Sequence, residues 1–240
     1  MIFDQSEFDV RCEWGDGGLQ QLVPISDVVI IVDVLSFSTC VSVATARGAT
    51  ILPVGPHEKS AAEFARSRGA DLAGARGHSR YSLSPASFMD ISSGARVVLP
   101  GINGSRLSLL TGQTATLAGS IRNARIVAET AMRLGRKISV VPAGERWKED
   151  GSLRAAVEDL IGAGAIIRHL GGSLSPEADS AVAVFENVKH RLLSQLTASS
   201  SGKELIARGF ECDIRICAES DVDDCAPILK DGAYVMAEPV

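Results

Sequence analysis

Val28-Val29-Ile30-Ile31-Val32-Asp33-Val34-Leu35-Ser36-Phe37-Ser38-Thr39 carries the first statement about the fold. Its opening run is continuous and β-branched, as in a strand covered on both faces; a strand with one wet face would alternate. A small hydroxyl-rich turn follows, and Ser38 to Arg47 has the composition of a helix closed by Gly48. Strand, polar turn and helix make the repeating unit of an α/β protein.

The unit recurs along the chain. Strands are expected at 50–54, 96–99, 115–118 and 137–141, with helices at 57–68, after Ser105, from Ser120 to near Gly135, and at 153–170. Helices are also expected at 175–196 and 202–208, and late strands at 210–217 and 233–236. The stretch 74–93 is rich in Gly, Ser and Pro without a period, and loops of that length in compact domains commonly carry function. The predicted architecture is a layered α/β/α fold with a mostly parallel sheet. One domain spans 1–240, and any division into closely packed lobes falls at about 1–95 and 96–240.

With 240 residues, 45% of them hydrophobic, the chain can bury a full core. A net charge of −5 argues against a broad nucleic-acid face while leaving a local basic pocket open. Five cysteines, an odd number without a CxxC pair, read as reduced thiols in a cytoplasmic protein. The polar, acidic N-terminus is unlike a signal peptide, and the apolar run 28–35 is too short for a membrane span and contains Asp33. No nucleic acid and no membrane is therefore expected as a partner. A homodimer is the default assembly.

Three strand ends run into small polar residues at helix starts: Ser38-Thr39, Asn103-Gly104-Ser105 and Gly119-Ser120. Strand carboxyl ends line the ligand crevice of parallel sheets, and helix N-termini suit oxyanions. Helix capping is the plain alternative for Ser38, Thr39, Ser105 and Ser120. Asp33, a carboxylate in an apolar strand, must pair, cap, bind metal or sit at the open end. Glu158-Asp159 is an acidic pair inside an otherwise apolar helix, and adjacent helix residues diverge by about 100°, so one at most points straight into a pocket. A solvated face is its alternative. Oxygen ligands of this kind suit Mg²⁺. The four histidines lack zinc spacing; His57 and His190 read as surface residues, and His78 lies beside Arg76 and Arg80, where it can meet an anion. No GxSxG, CxxxxxR or GxxxxGK motif is present.

The ordered series of these pieces resembles the 2-phosphosulfolactate phosphatase (ComB) family from about Val28 to Cys217. Asp33-Val34-Leu35-Ser36-Phe37-Ser38-Thr39 is similar to its DVLRATT turn, Gly74-Ala75-Arg76-Gly77 to its GERG, and Ser84-Pro85 to the end of its NSP. Asn103-Gly104-Ser105 resembles its NGT, Gly119-Ser120 with Asn123-Ala124 its GSxxNA, and Ala143-Gly144-Glu145 its AG turn. Glu158-Asp159 with Gly162 to Gly164 resembles its ED helix, and Asp213 its late aspartate. The sequence departs from the pattern at Ser36 (arginine in the family), Ala75 (glutamate) and Leu83 (asparagine).

The resemblance implies a Mg²⁺-dependent phosphatase associated with coenzyme M biosynthesis, acting on 2-phosphosulfolactate or a related 2-phospho acid. Asp33, Glu145 and Asp159 are then the catalytic candidates, and Asp33, Glu158 and Asp159 the metal ligands. A small anionic phosphorylated substrate would be held by Ser38, Thr39, Arg76, Ser84, Asn103, Gly104, Ser105 and Ser120. Arg76 is the candidate bidentate clamp. The departures also motivate a second reading, a catalytically silent or re-purposed relative that binds a small anionic metabolite.

Overall fold

In the computed structural model, which describes residues 4–55 and 61–238, the expected alternation is present. The first half comprises β1 (Val10–Cys12), α1 (Gly15–Leu22), β2 (Val28–Val32), α2 (Phe37–Ala46), β3 (Thr50–Val54), α3 (Ala61–Ser67), β4 (Asp71–Leu72), β5 (Arg96–Pro100) and α4 (Gly104–Leu109). The middle of the chain gives β6 (Ala115–Gly119), α5 (Ala124–Leu134), β7 (Ile138–Pro142), β8 (Glu145–Arg146), β9 (Leu153–Arg154) and α6 (Val157–Ile167). Then come α7 (Pro176–Val188), α8 (Leu192–Ala198), α9 (Ser200–Ala207), α10 (Glu211–Cys217), β10 (Pro227–Lys230) and β11 (Ala233–Met236).

Nine of the described strands form one sheet in the order β1-β7-β2-β6-β10-β11-β3-β5-β4. Pairing is parallel from β1 to β6 and again from β3 to β4, while the late hairpin β10–β11 joins the two blocks through antiparallel contacts. β2 is flanked by β6 and β7 and buried throughout, which accounts for its unbroken Val/Ile run. Val28, Ile30 and Val32 pack with residues of α5, α6 and α7, and Val29 and Ile31 with Leu19 of α1 and Leu107 of α4. Helices therefore cover both faces, the layered α/β/α arrangement expected. No described helix is long and apolar enough to cross a membrane.

Several expected elements differ. Residues 210–217 alternate like a strand, but 211–217 form α10, whose buried side chains Asp213, Ile214 and Cys217 share a helical face and whose Arg215 pairs with Glu211 one turn away. The helix expected at 153–170 starts at Val157, because Leu153–Arg154 pair antiparallel with Glu145–Arg146 instead. The helix expected at 175–196 is interrupted between Val188 and Leu192. The start of the helix expected at 57–68, with His57, lies outside the described residues. β1, α1 and β10 carried too short or too mixed a pattern to stand out in the sequence.

Candidate active site

The site is assembled at the carboxyl end of β2. Asp33 leaves the strand and turns back on itself: Ser38 N–H and its hydroxyl both donate to the Asp33 carbonyl, and Asp33 N–H donates to Ser38 Oγ at 2.9 Å. That closed turn aims the carboxylate at two backbone donors, with Oδ1 accepting from Phe37 N–H at 3.1 Å and Oδ2 from Gly104 N–H at 2.8 Å. Gly104 comes from the far side of the sheet, after β5. A Cβ there would stand 2.8 Å from the Asp33 Cβ and 2.6 Å from a Phe37 ring carbon, so the approach requires glycine.

Asp159, in the first turn of α6, repeats the arrangement. Its Oδ1 accepts from Val34 N–H at 2.7 Å and its Oδ2 from Gly144 N–H at 2.9 Å. α6 reaches that position because Gly162, one turn on, has no side chain; a Cβ there would lie 2.6 Å from Val34 and 2.9 Å from Val32. Glu158 beside it is buried too, so the pair is not a solvated face. Glu145 Oε1 accepts from Asn103 Nδ2 at 3.0 Å and from Arg146 N–H at 2.8 Å, tying the two loops that follow β5 and β7.

These carboxylates are short of counter-charge. Burial pushes Asp33 up to about 6 against its two N–H donors, with Glu145 and Glu158 adding repulsion. Burial, then Asp33 and Glu158, raise Asp159 well above the usual carboxylate range.

Above this floor opens a cavity of about 910 Å³, lined among others by Asp33, Ser36, Arg76, Asn103, Glu145 and Arg154. Arg76 is already organised. Its Nη1 pairs with Asp213 Oδ2 at 2.5 Å, its Nη2 donates to Ser36 Oγ at 2.7 Å, and its guanidinium sits 5.7 Å from the Phe210 ring centroid. Asp213 is fully buried, and its other oxygen accepts from Ser84 Oγ at 2.6 Å and from Ala86 N–H at 3.3 Å. α10 thus anchors the 74–93 loop that carries Arg76.

The structure brings together Asp33, Glu145, Asn103, Gly104 and Asp159, and sets Arg76 on the same cavity. The hydroxyls of the other candidates face protein. Thr39 donates to the Val34 carbonyl, Ser105 to the Val54 and Leu99 carbonyls, and Ser84 to Asp213. Ser120 and Asn123 form a reciprocal cap before α5. Ser38, Thr39, Ser105 and Ser120 are fully buried. Ser38, Thr39 and Ser105 instead fix the turns that supply the Val34, Phe37 and Gly104 N–H groups to the carboxylates. Asp213 is marked in the sequence only by its resemblance to the family's late aspartate, and its spacing from Arg76 carries no local signal. Trp147 and Arg154, both on the cavity, lie in a segment without a recognisable motif.

Among the described residues no group of three His, Cys, Asp or Glu side chains converges as a ready metal site. The donor set nevertheless fits Mg²⁺, which ordinarily takes one or two carboxylates and completes its shell with waters and phosphate oxygens. Asp33 and Glu145 open onto the cavity, where a cation would relieve the mutual repulsion among Asp33, Glu158 and Asp159.

Residues 19–232 match the family model described as 2-phosphosulpholactate phosphatase. The chain is 28% identical over 219 residues to the 2-phosphosulfolactate phosphatase of Methanothermobacter thermautotrophicus, covering 90% of this chain and 92% of that one. It is 30% identical to a probable 2-phosphosulfolactate phosphatase of Carboxydothermus hydrogenoformans, covering 87% and 89%, and 29% identical to one of Gloeobacter violaceus, covering 86% and 91%. A match over nearly the whole chain places this protein in the 2-phosphosulfolactate phosphatase family, a family of phosphoric monoester hydrolases.

Proposed function

We propose that this protein is a Mg²⁺-dependent phosphatase that converts 2-phosphosulfolactate or a related 2-phospho acid to the hydroxy acid and inorganic phosphate. The observation that carries this reading is the buried carboxylate floor. Asp33 is held by two backbone N–H groups beside further carboxylates, at the base of a cavity that also bears Arg76. Such a floor repels a phosphate ester unless a cation stands between them.

Asp33 would be the principal protein ligand of Mg²⁺, with Glu145 within the same cavity and Asp159 and Glu158 supplying charge from behind. When bound, the ion supplies neutralisation of phosphate oxygens as charge redistributes. The remaining work falls to the chain. Arg76, oriented by Asp213 and Ser36, has guanidinium N–H groups left to hold an acid group of the substrate. Asn103 and Glu145 form a hydrogen-bonded pair at the mouth of the Asp33 turn, placed to orient water. In hydrolysis the ester P–O bond breaks, the oxygen of water becomes the fourth phosphate oxygen, and a water proton ends on the departing alkoxide.

The test is phosphate release by the purified chain from 2-phosphosulfolactate and other 2-phospho acids, with Mg²⁺, after EDTA, and after Mg²⁺ is restored. Release abolished by chelation and recovered with Mg²⁺ is expected. Release indifferent to EDTA removes the metal from the mechanism. Thermal stabilisation by these acids without release under any metal would identify a silent anion-binding relative.

A further inference from the structure

The cavity above Asp33 is larger and more apolar than a three-carbon acid requires. Its volume of about 910 Å³ lies toward the upper end of the range occupied by drug-sized ligands. Beyond the polar floor its lining includes Leu35, Leu83, Ile102, Trp147 and Leu205. Ile102 and Trp147 are 54% and 51% exposed. Lone exposed apolar residues are ordinary, but these two converge on a concave site with a polar base. The Trp147 ring is backed by the Arg154 guanidinium, 5.8 Å from its centroid, and Arg154 is itself tied to Ser201 Oγ at 3.1 Å. The indole is thereby presented as a platform. Ser36, Ala75 and Leu83, where the sequence departs from the motifs it resembles, all line this same cavity. Two of the three place hydrocarbon there, and Arg76 beside them is charge-balanced by Asp213.

We infer that the preferred substrate is a 2-phospho acid whose third carbon bears an alkyl or aryl group, with that group lying against Leu83, Ile102 and Trp147. The inference rests on the phosphatase reading above and narrows its substrate class. The phosphate would occupy the Asp33 and Asn103 end and the carboxylate the Arg76 side, while the hydrocarbon leaves water at the Trp147 platform.

The test uses the full chain with Mg²⁺ and three substrates: 2-phospholactate, 2-phosphosulfolactate and 2-phospho-3-phenyllactate. The phenyl compound is expected to exceed each of the others in kcat/KM by about tenfold or more, the discrimination that buried hydrocarbon gives a pocket. W147A and L83A should each cut that ratio severalfold. A ratio measured on one preparation does not depend on how much of it is folded. Equal or better turnover of 2-phosphosulfolactate, or a preference that survives both substitutions, overturns the inference while leaving the phosphatase reading standing. Release from none of the three ends both.

Discussion

Asp33 with Asp159, and Arg76 with Asp213, are two buried charge clusters of the same site built in opposite ways. The first pair is held by backbone N–H groups, and its nearest charged neighbours are other carboxylates. The second is a closed ion pair, with Ser36, Ser84 and the Ala86 N–H satisfying further positions. The contrast separates two tasks. A cluster left short of cation is poised to take one, whereas a cluster already neutral serves to fix geometry. Substitutions in the first should therefore act on turnover and those in the second on stability and substrate binding.

The largest effect is expected for Asp33→Asn. The two shapes are nearly alike, but an amide presents one acceptor and one donor, so either Phe37 N–H or Gly104 N–H loses its partner. Relief of repulsion with Asp159 opposes that loss, leaving the fold intact. Mg²⁺-dependent phosphate release should fall by about 10³-fold. Retained turnover would show that the floor is structural and erase the contrast.

Asp213→Asn comes next, and its effect should appear as stability. Breaking a buried ion pair from one side costs about 3 kcal/mol because the remaining charge is stranded. Urea unfolding should show this loss, and R76M/D213L should recover much of it, since removing both charges strands neither. A D213N protein as stable as the parent would mean that Arg76 finds water or another partner, so that the second cluster is no more closed than the first.

The acidic cluster makes an opposite prediction for pH. Asp33 and Asp159 have raised values in the folded chain, so between the ordinary carboxylate range and about 6 the folded state binds more protons than the unfolded one. Stability gained from these groups is fully present at low pH; the share from Asp33 is lost as pH rises through about 6, and that from Asp159 as pH rises through its own raised value. Thermal melts in EDTA should thus give a Tm several degrees higher near pH 5 than near pH 8, with Mg²⁺ narrowing the gap. A metal-free Tm that is flat or rising over this window would show that the floor carries no net repulsion.

The acidic floor was also the more legible of the two in the sequence. A carboxylate at the end of a Val/Ile strand, and a Glu-Asp pair within an apolar helical run, break local pattern and draw notice. Asp213 does not, because its partner Arg76 lies 137 residues away and long-range pairing leaves no periodic trace. The alternation of Phe210, Cys212, Ile214 and Ile216 even mimics a strand, whereas tertiary burial of Asp213, Ile214 and Cys217 on one helical face makes it a helix. Sheet order was hidden for a related reason. The hairpin β10–β11 at the end of the chain inserts between β6 and β3, a placement set by packing across the whole core. The hydroxyl clusters were visible, but their targets were main-chain carbonyls that only the folded turns supply.

Ser84→Ala tests the closed cluster at its margin and should give the smallest effect. Its hydroxyl is one of two donors on Asp213 Oδ1, the other being the longer Ala86 N–H bond, while Arg76 holds Oδ2. Removing it leaves the ion pair intact and Asp213 with a donor on each oxygen, so urea unfolding should show a loss of about 1 kcal/mol. Because Ser84 acts only through Asp213 and Arg76, any kinetic change should fall on KM with kcat unaltered. A drop in kcat of the size expected for Asp33→Asn would instead place Ser84 at the reacting phosphate, and the division between a floor for chemistry and a wall for geometry would fail there first.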